Sequence, residues 1–151
     1  MKKLAIVIAL VLVAATMAAT ALAQRPVGAG AGKAFLYEAP DRDQYTCADG
    51  AIDLTDGPYG FVVMNTNARG DLIIEVSLKG ATPDAAYDIW VNQYPGACPL
   101  SSPTSAAALT TNRRGNGNAH LKVPRVEGAT NFWISAVGGG LVLRSTAVVL
   151  D

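Results

Sequence analysis

Apolar side chains recur at every second position along much of this chain, and this pattern limits its fold more than any other feature. The clearest stretch is DLIIEVSLK, residues 71–79, in which every second side chain is aliphatic from Leu72 to Leu78. Successive side chains of a β-strand point to opposite faces, so the stretch predicts a strand with one buried face and one mostly wet face. No segment carries a helical stripe of useful length. The pattern therefore predicts an all-β protein.

Turn residues divide the apolar stretches into short pieces. Gly, Pro, Asn and Asp cluster between the pieces at short spacing, which is typical of tight connections between strands. Eight or nine short strands without intervening helices predict an antiparallel β-sandwich or a small barrel. The predicted strands are residues 33–38, 51–54, 61–65, 71–79, 87–94, 107–111, 119–123, 131–137 and 141–150.

The first 23 residues have the three parts of a secretory signal peptide. A basic start at Lys2 and Lys3 precedes an apolar run, and Ala21-Leu22-Ala23 ends the segment. This order predicts export and cleavage after Ala23. The alternative is an uncleaved anchor, since the uncharged run from Leu4 is long enough to cross a bilayer. No later stretch is long and apolar enough to do so, and we expect no membrane span after cleavage.

The remaining chain predicts a flexible leader followed by one domain. Residues 24–32, QRPVGAGAG, are rich in Gly, Ala and Pro and have no apolar period, so the folded domain is expected over residues 33–151. Cleavage would remove Lys2 and Lys3 and leave ten basic residues against twelve acidic ones. That balance argues against nucleic acid as a partner, because nucleic-acid binding depends on clustered Lys and Arg.

Two cysteines, Cys47 and Cys98, are present in the chain. In an oxidising compartment they most simply form one disulfide. In the chain-entropy model, closing a loop of about 50 residues stabilises a fold by roughly 4 kcal/mol at most. The alternative is a free catalytic thiol that meets the single histidine.

The stretch NRRGNGNAH, residues 112–120, concentrates more chemically active side chains than any other. Its glycines and asparagines tolerate positive φ, so it predicts the turn of a β-hairpin, with Arg113 and Arg114 in solvent at the tip. These arginines are either a solvated turn or a contact for an acidic partner or glycan. His120 falls on the wet face, and no G-x-S-x-G motif accompanies it. We therefore expect no enzyme.

Two further groups of residues are candidates for ligand binding. Asp41, Asp43 and Asp49, with Asp53 and Asp56 nearby, offer the carboxylates that calcium prefers, although their spacing does not match an EF-hand and aspartates are ordinary in turns. No other cofactor is expected. An aromatic surface for a sugar ring or a protein is the second candidate, and its alternative is a role for these residues in the core. Its members lie opposite the expected core side chains of two strands: Trp90, Asn92, Tyr94 and Trp133.

The segment LKGATPDAAYDIWV, residues 78–91, resembles the approach to the tyrosine corner of fibronectin type III and related immunoglobulin-like domains. The resemblance implies that Pro83 turns the chain and that the Tyr87 hydroxyl bonds a backbone group shortly upstream. It also implies an immunoglobulin-like sandwich with a binding or adhesive role. More strands follow than in fibronectin type III, which favours an immunoglobulin-like sandwich of another topology.

These features favour a secreted or cell-surface module that is not catalytic and binds a protein, a glycan or copies of itself. One alternative is a subunit of an extracellular filament or surface layer, held together by strand pairing at exposed edges. The other is a small extracellular metal-dependent enzyme that uses the loop of residues 41–56 together with His120.

Overall fold

The computed structural model describes residues 30–39, 57–96 and 106–151. These residues form strands and connections without a helix, which confirms the predicted all-β class. No helix among them is long and apolar enough to cross a membrane. The predicted strand 51–54 lies outside the described residues. The strands are β1 (Gly32–Glu38), β2 (Gly60–Thr66), β3 (Leu72–Leu78), β4 (Ala86–Tyr94), β5 (Ala107–Thr110), β6 (Gly117–Val123), β7 (Asn131–Gly138), β8 (Leu141–Ser145) and β9 (Val148–Val149).

The strands form one nearly closed antiparallel sheet. Their order is β5-β4-β7-β8-β1-β2-β3-β6, and β9 pairs with the beginning of β7. β1 is shared between two groups of strands, because residues 32–35 pair with β2 and residues 36–38 pair with β8. β1 begins at Gly32, one residue before the predicted start of the folded domain.

The predicted hairpin between β5 and β6 is wrong, although the turn itself is present. β5 pairs with β4, and β6 pairs with β3, so the two strands stand at opposite ends of the strand order. The turn between them brings these ends together: a Cβ atom on Gly117 would lie 3.0 Å from the Thr110 carbonyl oxygen. The loop therefore connects the two edges of the sheet and does not join paired neighbours.

The core forms from the side chains that point inward at every second position of the strands. On β3 the four predicted aliphatic residues are almost completely buried, while Glu75 between them is exposed. Tyr87 and Ile89 of β4 and Phe132 and Ile134 of β7 are also fully buried. Each such side chain contributes about 1.5–3 kcal/mol when it leaves water, so the period-two pattern supplies most of the driving force for this fold.

The predicted strand 141–150 is divided into β8 and β9. β8 pairs with the second half of β7, whereas β9 pairs with Asn131 and Phe132 at its start. Between these two ladders, the backbone N–H of Ile134 donates to the Ser145 hydroxyl at 2.9 Å. A side chain thus replaces the missing ladder partner where the chain leaves β8. Val148 then packs against Gly32, where a Cβ atom would lie 2.0 Å from a Val148 methyl group.

The predicted contact of the Tyr87 hydroxyl with an upstream backbone group is confirmed. The hydroxyl accepts a hydrogen bond from the Thr82 N–H at 3.1 Å, and the chain turns through Pro83 and Asp84, whose φ is +47°. The Thr111 hydroxyl donates to the Thr82 carbonyl at 2.6 Å. Three connections are therefore tied together at this end of the sheet: residues 79–85, 111–116 and 139–140.

Candidate functional site

The predicted aromatic surface lies on the face of β4 and β7 that points away from the core. Cross-strand pairing places Asn92 beside Trp133 and Trp90 beside Ser135. The Asn92 amide donates to the Ser135 hydroxyl at 3.1 Å and to the Trp133 carbonyl at 3.4 Å. Tyr94 continues the same face toward the end of β4. The structure thus brings all four predicted residues into one continuous area.

Solvent reaches only part of this area. Asn92 and Trp133 are 2% and 4% exposed, and Trp90 is half-buried. Tyr94 is 37% exposed and lies in a row with Asn131 and the exposed Val149 of β9. Any contact between this surface and a ligand in the described structure must therefore be made mainly through the Tyr94 end.

Arg144 of β8 belongs to the same buried area and was not predicted from the sequence. Its side chain is 2% exposed, and its guanidinium carbon lies 4.9 Å from the centre of the Trp133 ring. Arg144 also pairs across the ladder with Ser135. The available sequence signal was an arginine within the mostly apolar stretch LVLRSTAVVL. A buried arginine stacked on a tryptophan makes this area a packed structural element as well as a candidate surface.

Arg113 and Arg114 project from a turn that is held firmly by hydrogen bonds. The Asn112 side-chain oxygen accepts from the backbone N–H groups of Arg114 at 2.8 Å and Asn116 at 3.1 Å. Gly115 has a φ of +70°, and its carbonyl accepts from the Ala81 N–H at 3.1 Å. Both arginine side chains are exposed. The turn therefore presents two cations to solvent on a rigid backbone.

His120 lies on the outer face of β6, as the alternation predicts. Its side chain is 61% exposed, and Nδ1 contacts the carboxylate of Glu75, its direct neighbour on β3. In the next row Lys122 forms an ion pair with Asp71, with 3.0 Å between Nζ and Oδ2. This edge of the sheet therefore carries alternating charges in contact with solvent.

The pKa of Asp71 is lowered, first by the hydrogen bond from Lys122 and then by that from Asn67. A carboxylate whose pKa is lower in the folded state stabilises the fold above its ordinary pKa of 3.8, and this contribution is lost as the pH falls through the folded pKa. We therefore expect Asp71→Asn to unfold at lower urea concentration than wild type at neutral pH.

The difference between the two proteins should shrink below pH 3.8 and vanish once Asp71 is protonated in the folded wild type. Urea unfolding followed by tryptophan fluorescence across this range measures it. Lys122→Met should reproduce much of the neutral-pH loss, because it removes the main cause of the lowered pKa. A deficit of Asp71→Asn that stays constant down to pH 2 would contradict the expected role of the charge.

The most exposed aromatic surface of the described chain lies on the outer face of β1, β2 and β3, and the sequence did not reveal it. Phe35 is 45% exposed and pairs directly with Phe61 of β2. The Lys33 ammonium lies 4.4 Å from the centre of the Phe61 ring and 5.3 Å from that of Phe35. We call this surface the open face, and its residues are Lys33, Phe35, Phe61, Val63, Ile73 and Glu75.

Several predicted residues lie outside the described ranges. They are the cysteines and the candidate calcium ligands: Cys47, Cys98, Asp41, Asp43 and Asp49. Among the residues that the structure does describe, no group of three or more His, Cys, Asp or Glu side chains is arranged to hold a metal ion.

No protein-family model matches this chain, and a search of curated proteins gives no match. The surfaces described above are therefore the features of this chain that indicate a function. Among them, the open face combines the highest exposure of an aromatic ring with a nearby cation.

Proposed function

We propose that this chain is an exported, non-catalytic β-sandwich module of the immunoglobulin-like kind that binds a partner outside the cell through its open face. The observation that carries the proposal is the exposed Phe35 beside Phe61, with the Lys33 ammonium over both rings. Aromatic side chains are enriched at protein interfaces because they bury a large area at a small entropic cost.

The open face offers a partner both apolar contact and charge. Val63 and Ile73 extend the aromatic pair along β2 and β3 and are half-buried, so an apolar strip reaches solvent. Lys33 stands on one side of this strip and the exposed Glu75 on the other. A partner with an apolar centre and charges at its rim would match this arrangement, as is usual for protein interfaces.

Other observations support the remaining parts of the proposal. Export is supported by the signal-like residues 1–23. The immunoglobulin-like sandwich is supported by the Tyr87 contact and by the way β1 passes from one group of strands to the other.

A binding screen with a matched pair of variants tests the proposal. The exported protein, residues 24–151, is screened against a glycan array and a panel of extracellular proteins, and each hit is measured again with Phe35→Ala and with Tyr94→Ala. We expect Phe35→Ala to weaken binding by at least about tenfold, since the loss of a central aromatic contact at an interface typically costs 2 kcal/mol or more. Tyr94→Ala removes a comparably exposed aromatic residue elsewhere and should bind like wild type.

Both variants must keep the circular dichroism spectrum and the unfolding midpoint of the wild type. Binding that survives Phe35→Ala but is lost with Tyr94→Ala would place the interface at the predicted aromatic surface and contradict the proposal. Trp133→Ala is unsuitable here, because a side chain that is 4% exposed cannot be removed without disturbing the fold.

A further inference from the structure

The charges of the open face have opposite signs on the two sides of its central residue. β2 runs through the middle of the face, with Val63 paired to Lys33 of β1 on one side and to Glu75 of β3 on the other. Neighbouring strands lie about 4.8 Å apart, so the backbones of Lys33 and Glu75 flank Val63 at nearly equal distances. The Lys33 ammonium reaches toward the Phe61 ring, and the Glu75 carboxylate contacts His120. Phe61, two residues before Val63 on the same strand, points to the same side.

From this arrangement we infer that the partner of the open face is a second copy of the chain, an inference that rests on the proposed use of this face for binding. Two open faces can stack around a twofold axis that lies between them and runs parallel to β2. This axis places β1 of each copy over β3 of the other copy. Lys33 of each copy then lies over Glu75 of the second copy. The contact is isologous, which is the usual form of a dimer with twofold symmetry.

The same axis places like upon like along β2, where Phe61 and Val63 are apolar and Asn65 carries no charge. Val63 meets Val63 of the second copy, and Phe61 meets Phe61 of the second copy. A twofold axis through Val63 but perpendicular to the strands would instead place Lys33 on Lys33 and Glu75 on Glu75, and such like-charge contacts are unfavourable. Charge complementarity therefore selects the axis along β2. With this axis, the strands of the two copies run in the same direction.

The size of the face sets the expected strength of the dimer. Three strands at about 4.8 Å spacing and six or seven residues at about 3.3 Å per residue give a patch of roughly 15 by 20 Å. Two such patches bury on the order of 600 Å² in total, which is less than the roughly 1,200 Å² at which standard specific interfaces begin. The dimer should therefore be weak and should dissociate on dilution, with a Kd in the micromolar range or above.

Reciprocal charge reversal tests this arrangement directly. Sedimentation velocity over a series of protein concentrations measures the dimer Kd of the exported chain. Lys33→Glu and Glu75→Lys each create two like-charge contacts across the axis and should raise the Kd by about tenfold or more. The double variant Lys33→Glu/Glu75→Lys restores two opposite-charge contacts and should return the Kd to within about threefold of wild type. Arg113→Glu makes the same change of charge on the turn between β5 and β6, outside the open face, and should leave the Kd unchanged.

The possible outcomes separate this inference from the proposed function. A chain that remains monomeric at all concentrations, or a dimer that is insensitive to both single reversals, overturns the symmetric dimer. Single reversals that weaken the dimer without rescue by the double variant also overturn it, because the predicted contact is then absent. In all of these cases the proposed function stands if the screen identifies a partner of another kind whose binding is weakened by Phe35→Ala. The proposed function fails only if the screen finds no such partner.

Discussion

Gly115→Ala is expected to lose about 3 kcal/mol or more of the free energy of unfolding, because two costs add at this position. The φ of Gly115 is +70°, a conformation that alanine adopts only with strain. A Cβ atom would also lie 2.0 Å from the Ala81 carbonyl oxygen and 2.7 Å from the Ala81 nitrogen. Both atoms belong to the backbone of a neighbouring connection, so no rotamer change can relieve the clash.

Gly70→Ala separates these two costs. Gly70 has a similar φ of +84°, but a Cβ atom there would meet nothing within 4 Å. This control should lose only the backbone part, about 1–2 kcal/mol. Urea unfolding of both variants measures the difference. Equal losses would mean that the contact between the two connections yields easily and that this end of the sheet is less rigid than its hydrogen bonds indicate.

Arg125→Ala is expected to destabilise the fold by about 2–4 kcal/mol, since hydrogen bonds to a charged group are each worth more than neutral ones. The guanidinium donates to the Ala129 carbonyl at 2.7 and 3.0 Å, to the Leu150 carbonyl at 3.0 Å and to the Asp151 carbonyl at 3.1 Å. It also lies 5.2 Å from the centre of the buried Phe132 ring. One side chain thus fastens the segment after β9 to the connection before β7.

Amide hydrogen exchange locates this effect. The Leu150 N–H donates to the Thr130 carbonyl at 3.1 Å, and its exchange should accelerate in Arg125→Ala more than that of β3 amides. Arg113→Ala is the matched control, because this arginine is exposed and its removal should change stability by no more than about 0.5 kcal/mol. If the two variants are equally stable, Arg125 does not fasten the segment.

Strand positions and buried faces were predictable because they depend on local alternation. The strand predicted at 71–79 is observed as Leu72–Leu78, and its aliphatic side chains all face the core. The bond of the Tyr87 hydroxyl was implied by the resemblance of residues 78–91 to a tyrosine corner, and it joins residues only five positions apart. Both features are decided within a single segment, where the sequence contains the necessary information.

Strand partners and cross-strand contacts were not predictable, because they depend on how distant segments pair. Nothing in ALTTNRRGNGNAHLKV shows that its two strands pair with β4 and β3 and not with each other. The meeting of Phe35 with Phe61 likewise depends on the register between β1 and β2. The burial of Trp133 against Arg144 has the same origin, since alternation gives the face of a residue but not what lies beside it.

The division of β1 between two pairing partners affects how the protein unfolds. Residues 32–35 pair with β2, and residues 36–38 pair with β8, so the release of β1 removes a hydrogen-bonded neighbour from each of these two strands. Loss of β1 would leave open edges on both sides and expose Leu36, which is fully buried. The described strands should consequently melt in a single all-or-none transition, with β1 amides among the slowest to exchange.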